Sequence, residues 1–190
     1  MPQSRRYKKK KSAGKAILAW IIVLAILAAA VFVFVSVFYE DTKKKLDEMN
    51  YPRTYSTYVE KAAKDYDLDP ALIYAVIHTE SGFDPKAESG VGAKGVMQMM
   101  PSSFEWLQEQ RGCAGQYTED DLFDPEICID YGSYLLKYFY DYYGTERSAI
   151  AAYNAGFVVS DWLNDTNYSS DGKNLDSIPY PETENYVDKV

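Results

Sequence analysis

The residue of this sequence whose type and setting most suggest chemistry is Glu80. Between Ala71 and Ser81, the residues Ile73, Val76, Ile77 and Glu80 fall at i, i+3, i+4 and i+7, so a carboxylate continues the apolar stripe of one helix face. A carboxyl group held there is stripped of water. Desolvation disfavours its charged form, raises its pKa and lets it keep a proton near neutral pH as a general acid. The same glutamate sits in the last turn, where it can also bend outward to solvent or bond the amides of the following loop, so the helix alone leaves both readings open. Other reactive groups are sparse. His78 is the single histidine and reads as a helix-packing residue; together with only two cysteines it cannot complete a zinc shell, so no metal is expected. The stretch Gly90 to Gly95 lacks the lysine and hydroxyl spacing of a phosphate loop, which removes nucleotide binding, and no cofactor is called for. The nearest other acids, Asp84 before Pro85 and Glu88 in a Gly/Ser-containing loop, are poor partners for Glu80.

The elements that must position Glu80 are helical throughout. Thr57-Tyr58-Val59-Glu60 reads as a capping box opening a first helix, and Asp69-Pro70 sets a cap and a first-turn proline before a helix that Gly82 stops. Ser102-Ser103-Phe104-Glu105 opens another. Asp124-Pro125 starts a long helix ending at Gly144, with Ile127, Tyr131, Tyr134, Leu135, Tyr138, Phe139 and Tyr142 on one face. Thr145 begins a helix running to Gly156, and a polar loop extends from about Asn164 to Ser177. No stretch alternates with a period of two, so the spacing predicts a compact all-α domain, with room for a very small β-hairpin near Gly90 to Gly95. The 18 tyrosines belong first to helix packing and only then to a sugar-binding surface.

Ala16 to Tyr39 are 24 residues without a charge, enough to cross a hydrocarbon core of ~30 Å as a helix. The Ala28-Ala29-Ala30 cluster runs on into Val31-Phe32-Val33-Phe34-Val35 instead of ending in a cleavage site, which favours an uncleaved anchor over a signal peptide. The first fifteen residues hold seven basic side chains and no acid, against a formal −8 for the whole chain, which leaves −15 on the remainder. That balance argues against a nucleic-acid-binding body. Those seven bases outnumber Lys43, Lys44 and Lys45 beyond the span, which keeps the amino terminus inside. The expected order is a basic cytoplasmic tail (1–15), a single transmembrane helix (16–39), a charged stalk (40–52) and an extracytoplasmic domain (53–190). Outside the cell Cys113 and Cys128 are able to form a disulfide; two buried free thiols are the alternative.

Four blocks then stand in order: Glu80-Ser81-Gly82-Phe83-Asp84-Pro85 with Ser89 after it; Gly92-Ala93-Lys94-Gly95-Val96-Met97-Gln98-Met99-Met100-Pro101; Ala151-Ala152-Tyr153-Asn154-Ala155-Gly156; and Ile178-Pro179-Tyr180-Pro181-Glu182-Thr183. Together they resemble the transglycosylase SLT domain, the lysozyme-like family of soluble lytic transglycosylases, over roughly Tyr55 to Val190. The resemblance implies a lysozyme-like fold with Glu80 as catalytic acid/base and Ser81 fixing the turn behind it. It implies further that Ser89, Met97 and Gln98 line the cleft, that Tyr153 hydrogen-bonds Glu80, that Asn154 holds substrate or loop, and that Glu182 sits on the far rim. The implied substrate is the peptidoglycan glycan strand. Glu80 would protonate the bond between N-acetylmuramic acid and N-acetylglucosamine and then, ionised, deprotonate the muramyl C6 hydroxyl, closing a 1,6-anhydro ring without water. Because ordinary glycosidases need two carboxylates, a single one fits this chemistry. A hydrolase resembling goose-type lysozyme, or a non-catalytic glycan-gripping scaffold with cell-envelope partners, are the competing readings. The chain departs from the family at Glu184, where a basic residue is usual, and a terminal helix is still under way at Val190.

Overall fold

A computed structural model of the chain describes residues 4–50 and 54–190, with side chains described at Gly14, at 16–39, at Thr42 and from Thr54 onward. The side chains of the basic tail, those of the stalk other than Thr42, and the boundary at Arg53 therefore lie outside the described residues. The chain divides into two compact units, Met1–Pro52 and Arg53–Val190.

The described residues of the first unit form one helix, α1 (Ser4–Asn50). Its stretch Ala16–Tyr39 has a mean hydropathy of 3.2 and no buried residue, and is long and apolar enough to cross a membrane. The hydroxyls at its end are satisfied within the helix: Ser36 Oγ donates to the Phe32 carbonyl and Thr42 Oγ1 to that of Phe38, at 2.9 and 2.8 Å.

The second unit is a bundle of helices α2 (Ser56–Tyr66), α3 (Pro70–Ser81), α4 (Pro101–Gln110), α5 (Pro125–Tyr143), α6 (Glu146–Ala155), α7 (Val159–Asn164) and α8 (Pro181–Lys189), with 3-10 turns at Glu119–Phe123 and Gly156–Val158. Several ends follow local chemistry. Asp69 accepts the Ala71 amide, Asp124 the Glu126 amide and Thr145 the Ser148 amide, while Gly82 and Gly144 take the left-handed conformation that ends α3 and α5. Two starts differ from the spacing. α2 opens at Ser56, not at a capping box, because Tyr55 adopts φ 67 and its hydroxyl donates to the Phe83 carbonyl at 3.3 Å, a tertiary anchor that fixes the entry of the chain. α4 opens at Pro101, one residue before the serines, with proline filling the first position.

α5 is the central helix, with α2, α4 and α6 packed around it and Ile129, Leu136 and Phe139 in the core. The segment between α3 and α4 contains no strand; where the sequence left room for a small hairpin there are two isolated antiparallel bridges, Glu88 with Lys94 and Lys94 with Met99. Two features pin this segment to the bundle. Lys94 reaches Asp120 at 3.0 Å and Glu119 at 3.1 Å, and Gly95, at φ 76, lies so close to the Leu122 carbonyl and the Cys128 sulfur that no Cβ fits.

Of the two readings left open for the cysteines, the structure has free thiols at both Cys113 and Cys128. Cys128 is fully buried beneath the segment, where its sulfur accepts the Met97 amide at 3.4 Å, whereas Cys113 meets the Tyr131 hydroxyl at 3.3 Å. Each sulfur is engaged in its own environment.

Candidate active site

Glu80 occupies the last turn of α3, one turn beyond the fully buried Val76 and Ile77, and its side chain is partly buried. Burial raises its pKa to about 7, and the only opposing influence is a hydrogen bond from Tyr186. The carbonyl end of the helix macrodipole, which disfavours a negative charge, acts in the same direction as burial. Tyr186 Oη donates to Glu80 Oε1 at 2.7 Å from α8, and burial and the glutamate's charge push the phenol far above its ordinary range, so it stays a donor. No second carboxylate contributes to the shift at Glu80. Asp84 is exposed and caps the turn through the Lys86 amide, and Glu88 is exposed.

Ser81 fixes the turn behind the glutamate: its hydroxyl donates to Val96 O at 2.8 Å and to Ile77 O at 3.1 Å, tying the end of α3 to the segment before α4. On the other side stands Tyr153 of α6. Its hydroxyl does not reach Glu80 but donates to the Met97 carbonyl at 2.9 Å, while burial and the charge of Glu80 raise its pKa well above the usual phenol value. The tyrosine bonded to the acid is thus Tyr186, and Tyr153 props the segment that faces it.

Met97 is fully buried and does not line a cleft; a Cβ at Gly132 of α5 would stand 2.5 Å from its sulfur. Gln98 holds an unusual left-handed backbone (φ 46), and its amide nitrogen donates to the Ala87 and Gly95 carbonyls, both at 3.0 Å. Both amide protons are spent on the loop, so only its oxygen remains to receive a ligand donor. Ser89 serves the same loop by accepting the Ala93 amide at 2.9 Å. Asn154 is exposed at the end of α6, and its Oδ1 accepts from Thr183 Oγ1 at 2.7 Å. This bond clamps α8 onto α6 one helical turn before Tyr186. Glu182 is exposed in the first turn of α8. His78 is also exposed, contrary to a packing role, and stacks obliquely on Phe83 at 6.0 Å.

Sequence reasoning missed Tyr186 and Thr183 as functional positions. The available signal was their i, i+3 spacing in a helix opening at Pro181, which puts both on the face turned to the body.

The family model of the transglycosylase SLT domain matches residues 57–175. The soluble lytic murein transglycosylase of Escherichia coli is 32% identical over 146 residues, which are 75% of this chain and 23% of that protein. The membrane-bound lytic murein transglycosylase C of Actinobacillus succinogenes is 35% identical over 113 residues, 55% of this chain and 32% of that protein. Among solved structures, the lytic transglycosylase Slt of Pseudomonas aeruginosa, in an inactive mutant form, superposes with a TM-score of 0.65 at 30% identity over 75% of this chain and 24% of that one. The chain thus spans only about a quarter to a third of the length of these relatives. With its all-α, lysozyme-like fold and a partly buried acid at the end of α3, the chain belongs to the transglycosylase SLT domain family.

Proposed function

We propose that the chain is a membrane-anchored peptidoglycan lytic transglycosylase in which Glu80 acts first as general acid and then as general base. The observation that carries this reading is the solitary carboxylate, held at a pKa of about 7 by burial with no second acid contributing. At that value roughly half the groups are protonated at neutral pH, and the proton given to the glycosidic oxygen between N-acetylmuramic acid and N-acetylglucosamine leaves a carboxylate basic enough to take one back. The Tyr186 hydroxyl steadies the carboxylate in between. The acceptor of the second step is the muramyl C6 hydroxyl, whose attack on C1 yields the 1,6-anhydro end. An inverting or retaining hydrolase would need a second carboxylate to activate water or to attack, and Asp84 and Glu88 are both exposed. In this reading Ser81, Ser89 and Gln98 shape the loop beside the bond, while Asn154 and Glu182 edge the cleft. Residues 16–39 anchor the protein, and the chain from Arg53 onward works on the outer side against the wall. The relatives reported above, murein transglycosylases both soluble and membrane-bound, support this assignment.

Mass spectrometry of fragments released from purified peptidoglycan by the full chain in micelles, with Glu80→Gln alongside, tests it. Anhydromuramyl ends that vanish in the variant are expected; reducing ends would replace the lyase with a hydrolase, and undiminished release by the variant would remove Glu80 from the chemistry.

A further inference from the structure

Two aromatic residues of the domain take a backbone conformation that bulky side chains rarely adopt, and a hydrogen bond joins them. Tyr55, just before α2, has φ 67, and Phe83, in the turn that leaves α3, has φ 70. Glycine takes such angles freely, as Gly82 does at φ 59, but Phe83 extends the left-handed turn to a second residue that must be held there. Its ring packs against Tyr74 and His78 of α3, at centroid distances of 6.4 and 6.0 Å, and its carbonyl accepts the Tyr55 hydroxyl at 3.3 Å. Burial and the nearby charge of Asp84 raise the pKa of that phenol, so it remains a donor.

Phe83 stands between the acid and the loop that carries Gln98. Three residues before it is Glu80, in the last turn of α3, which closes with a bond from the Gly82 amide to the His78 carbonyl at 3.0 Å. Four residues after it is Ala87, whose carbonyl accepts both the Gly95 amide at 2.9 Å and the Gln98 side-chain amide at 3.0 Å. A turn left to relax at Phe83 would loosen the end of α3 on one side and the seat of Gln98 on the other. The Ser81 bond to the Val96 carbonyl holds the helix side of this turn, and the Tyr55 bond holds its far side.

We infer that Tyr55 is a positioning residue for the cleavage: by holding the Phe83 carbonyl it keeps the last turn of α3 closed and Glu80 shielded from water. The inference rests on the reading of Glu80 as the acid. The groups that face Glu80 from neighbouring helices, Tyr186 of α8, Tyr153 of α6 and the Cys128 thiol of α5, are untouched by loss of the bond. What changes is the water around the carboxyl, whose exclusion is the largest cause of its raised pKa. The test is the pH profile of fragment release from purified peptidoglycan by the full chain in micelles. Tyr55→Phe keeps the ring and removes the donor. Water admitted to the carboxyl lowers its pKa, so the basic limb should move down by about one unit. Release at pH 7 should then fall about fivefold, as the protonated share of Glu80 drops from about a half to about a tenth. Removing the Tyr186 donor, which favours the charged form, moves the limb the other way. In a Phe83→Gly background, where the backbone takes φ 70 without strain, adding Tyr55→Phe should leave the limb in place. A limb that stays or moves up in Tyr55→Phe overturns the inference whatever the thermal midpoint does, for the bond then serves stability alone. A shift of equal size in the Phe83→Gly background overturns it too. The two claims separate in the same assay. Undiminished release by Glu80→Gln removes the acid and this inference with it, whereas loss of release in Glu80→Gln with an unmoved limb in Tyr55→Phe removes the positioning role alone. Reducing ends with a shifted limb remove the lyase and leave Tyr55 in its role.

Discussion

Replacing Glu80 by glutamine should make the folded domain more stable at pH 8 and leave it unchanged at pH 4. Glutamine keeps the shape of the side chain and an oxygen for the Tyr186 hydroxyl, which now stands 2.7 Å from Oε1, but it cannot ionise. In the native parent the carboxyl titrates at about 7, against an ordinary 4.5 in the unfolded chain. Between these values the native state holds a proton that the unfolded state has released, so stability falls as pH rises through that window and levels off above it. The stability is fully present below 4.5 and lost as pH passes 7. At about 1.4 kcal/mol per pKa unit, the difference is about 3 kcal/mol, a ceiling for a side chain that keeps some contact with water. All other groups titrate alike in both proteins and cancel in the difference. Urea unfolding followed by tryptophan fluorescence reads it, and with a slope of roughly 2 kcal/mol per molar the variant's midpoint should lie about 1.5 M higher at pH 8. Parallel pH dependences for the two proteins would refute the reasoning, because they would mean that Glu80 is not desolvated in the fold.

Tyr186→Phe removes a donor that favours the charged form, so Glu80 should titrate still higher, by about one unit, and turnover at pH 7 should fall about tenfold as the carboxylate formed on proton transfer loses its support. The basic limb of the pH profile for anhydromuropeptide release should move up; a limb that stays or moves down contradicts the assignment. Gly95→Ala forces a Cβ into the Leu122 carbonyl at a left-handed φ and should lower the thermal midpoint by more than about 10 °C, whereas Gly90→Ala, with open space around it, should leave the midpoint unchanged.

What could be read from the sequence was local. The boundaries of α3 and α5 follow from Asp69-Pro70 with Gly82 and from Asp124-Pro125 with Gly144, because a cap and a stop act over a few residues. Glu80 was legible because a single helix shows that it shares the face of Ile73, Val76 and Ile77, all fully buried. The rest depends on contacts that spacing does not encode. Tyr55 starts α2 through a bond to Phe83, and the two cysteines lie in separate environments. Met97 and Gln98 are neighbours in one block, yet one fills the space over Gly132 and the other turns back on its own loop; only the left-handed backbone at Gln98 decides which. Tyr153 and Tyr186 exchange the roles assigned to one of them because a phenol on α6 reaches the Met97 carbonyl first.

The partners Glu80 and Tyr186 stand 106 positions apart in the chain. Closing so long a loop costs chain entropy before any contact repays it, which places this pair among the late, high-contact-order pairings of folding. Its far end rides on the nine-residue α8, whose undocking is a smaller event than unfolding the bundle. In a newly made chain that has not closed this loop, Glu80 is an ordinary solvated carboxylate, ionised at neutral pH and without a proton to give. In the proposed reading, then, the proton that Glu80 gives is a property of the folded domain, supplied by loss of water around the carboxyl and not by the Tyr186 bond, which opposes it.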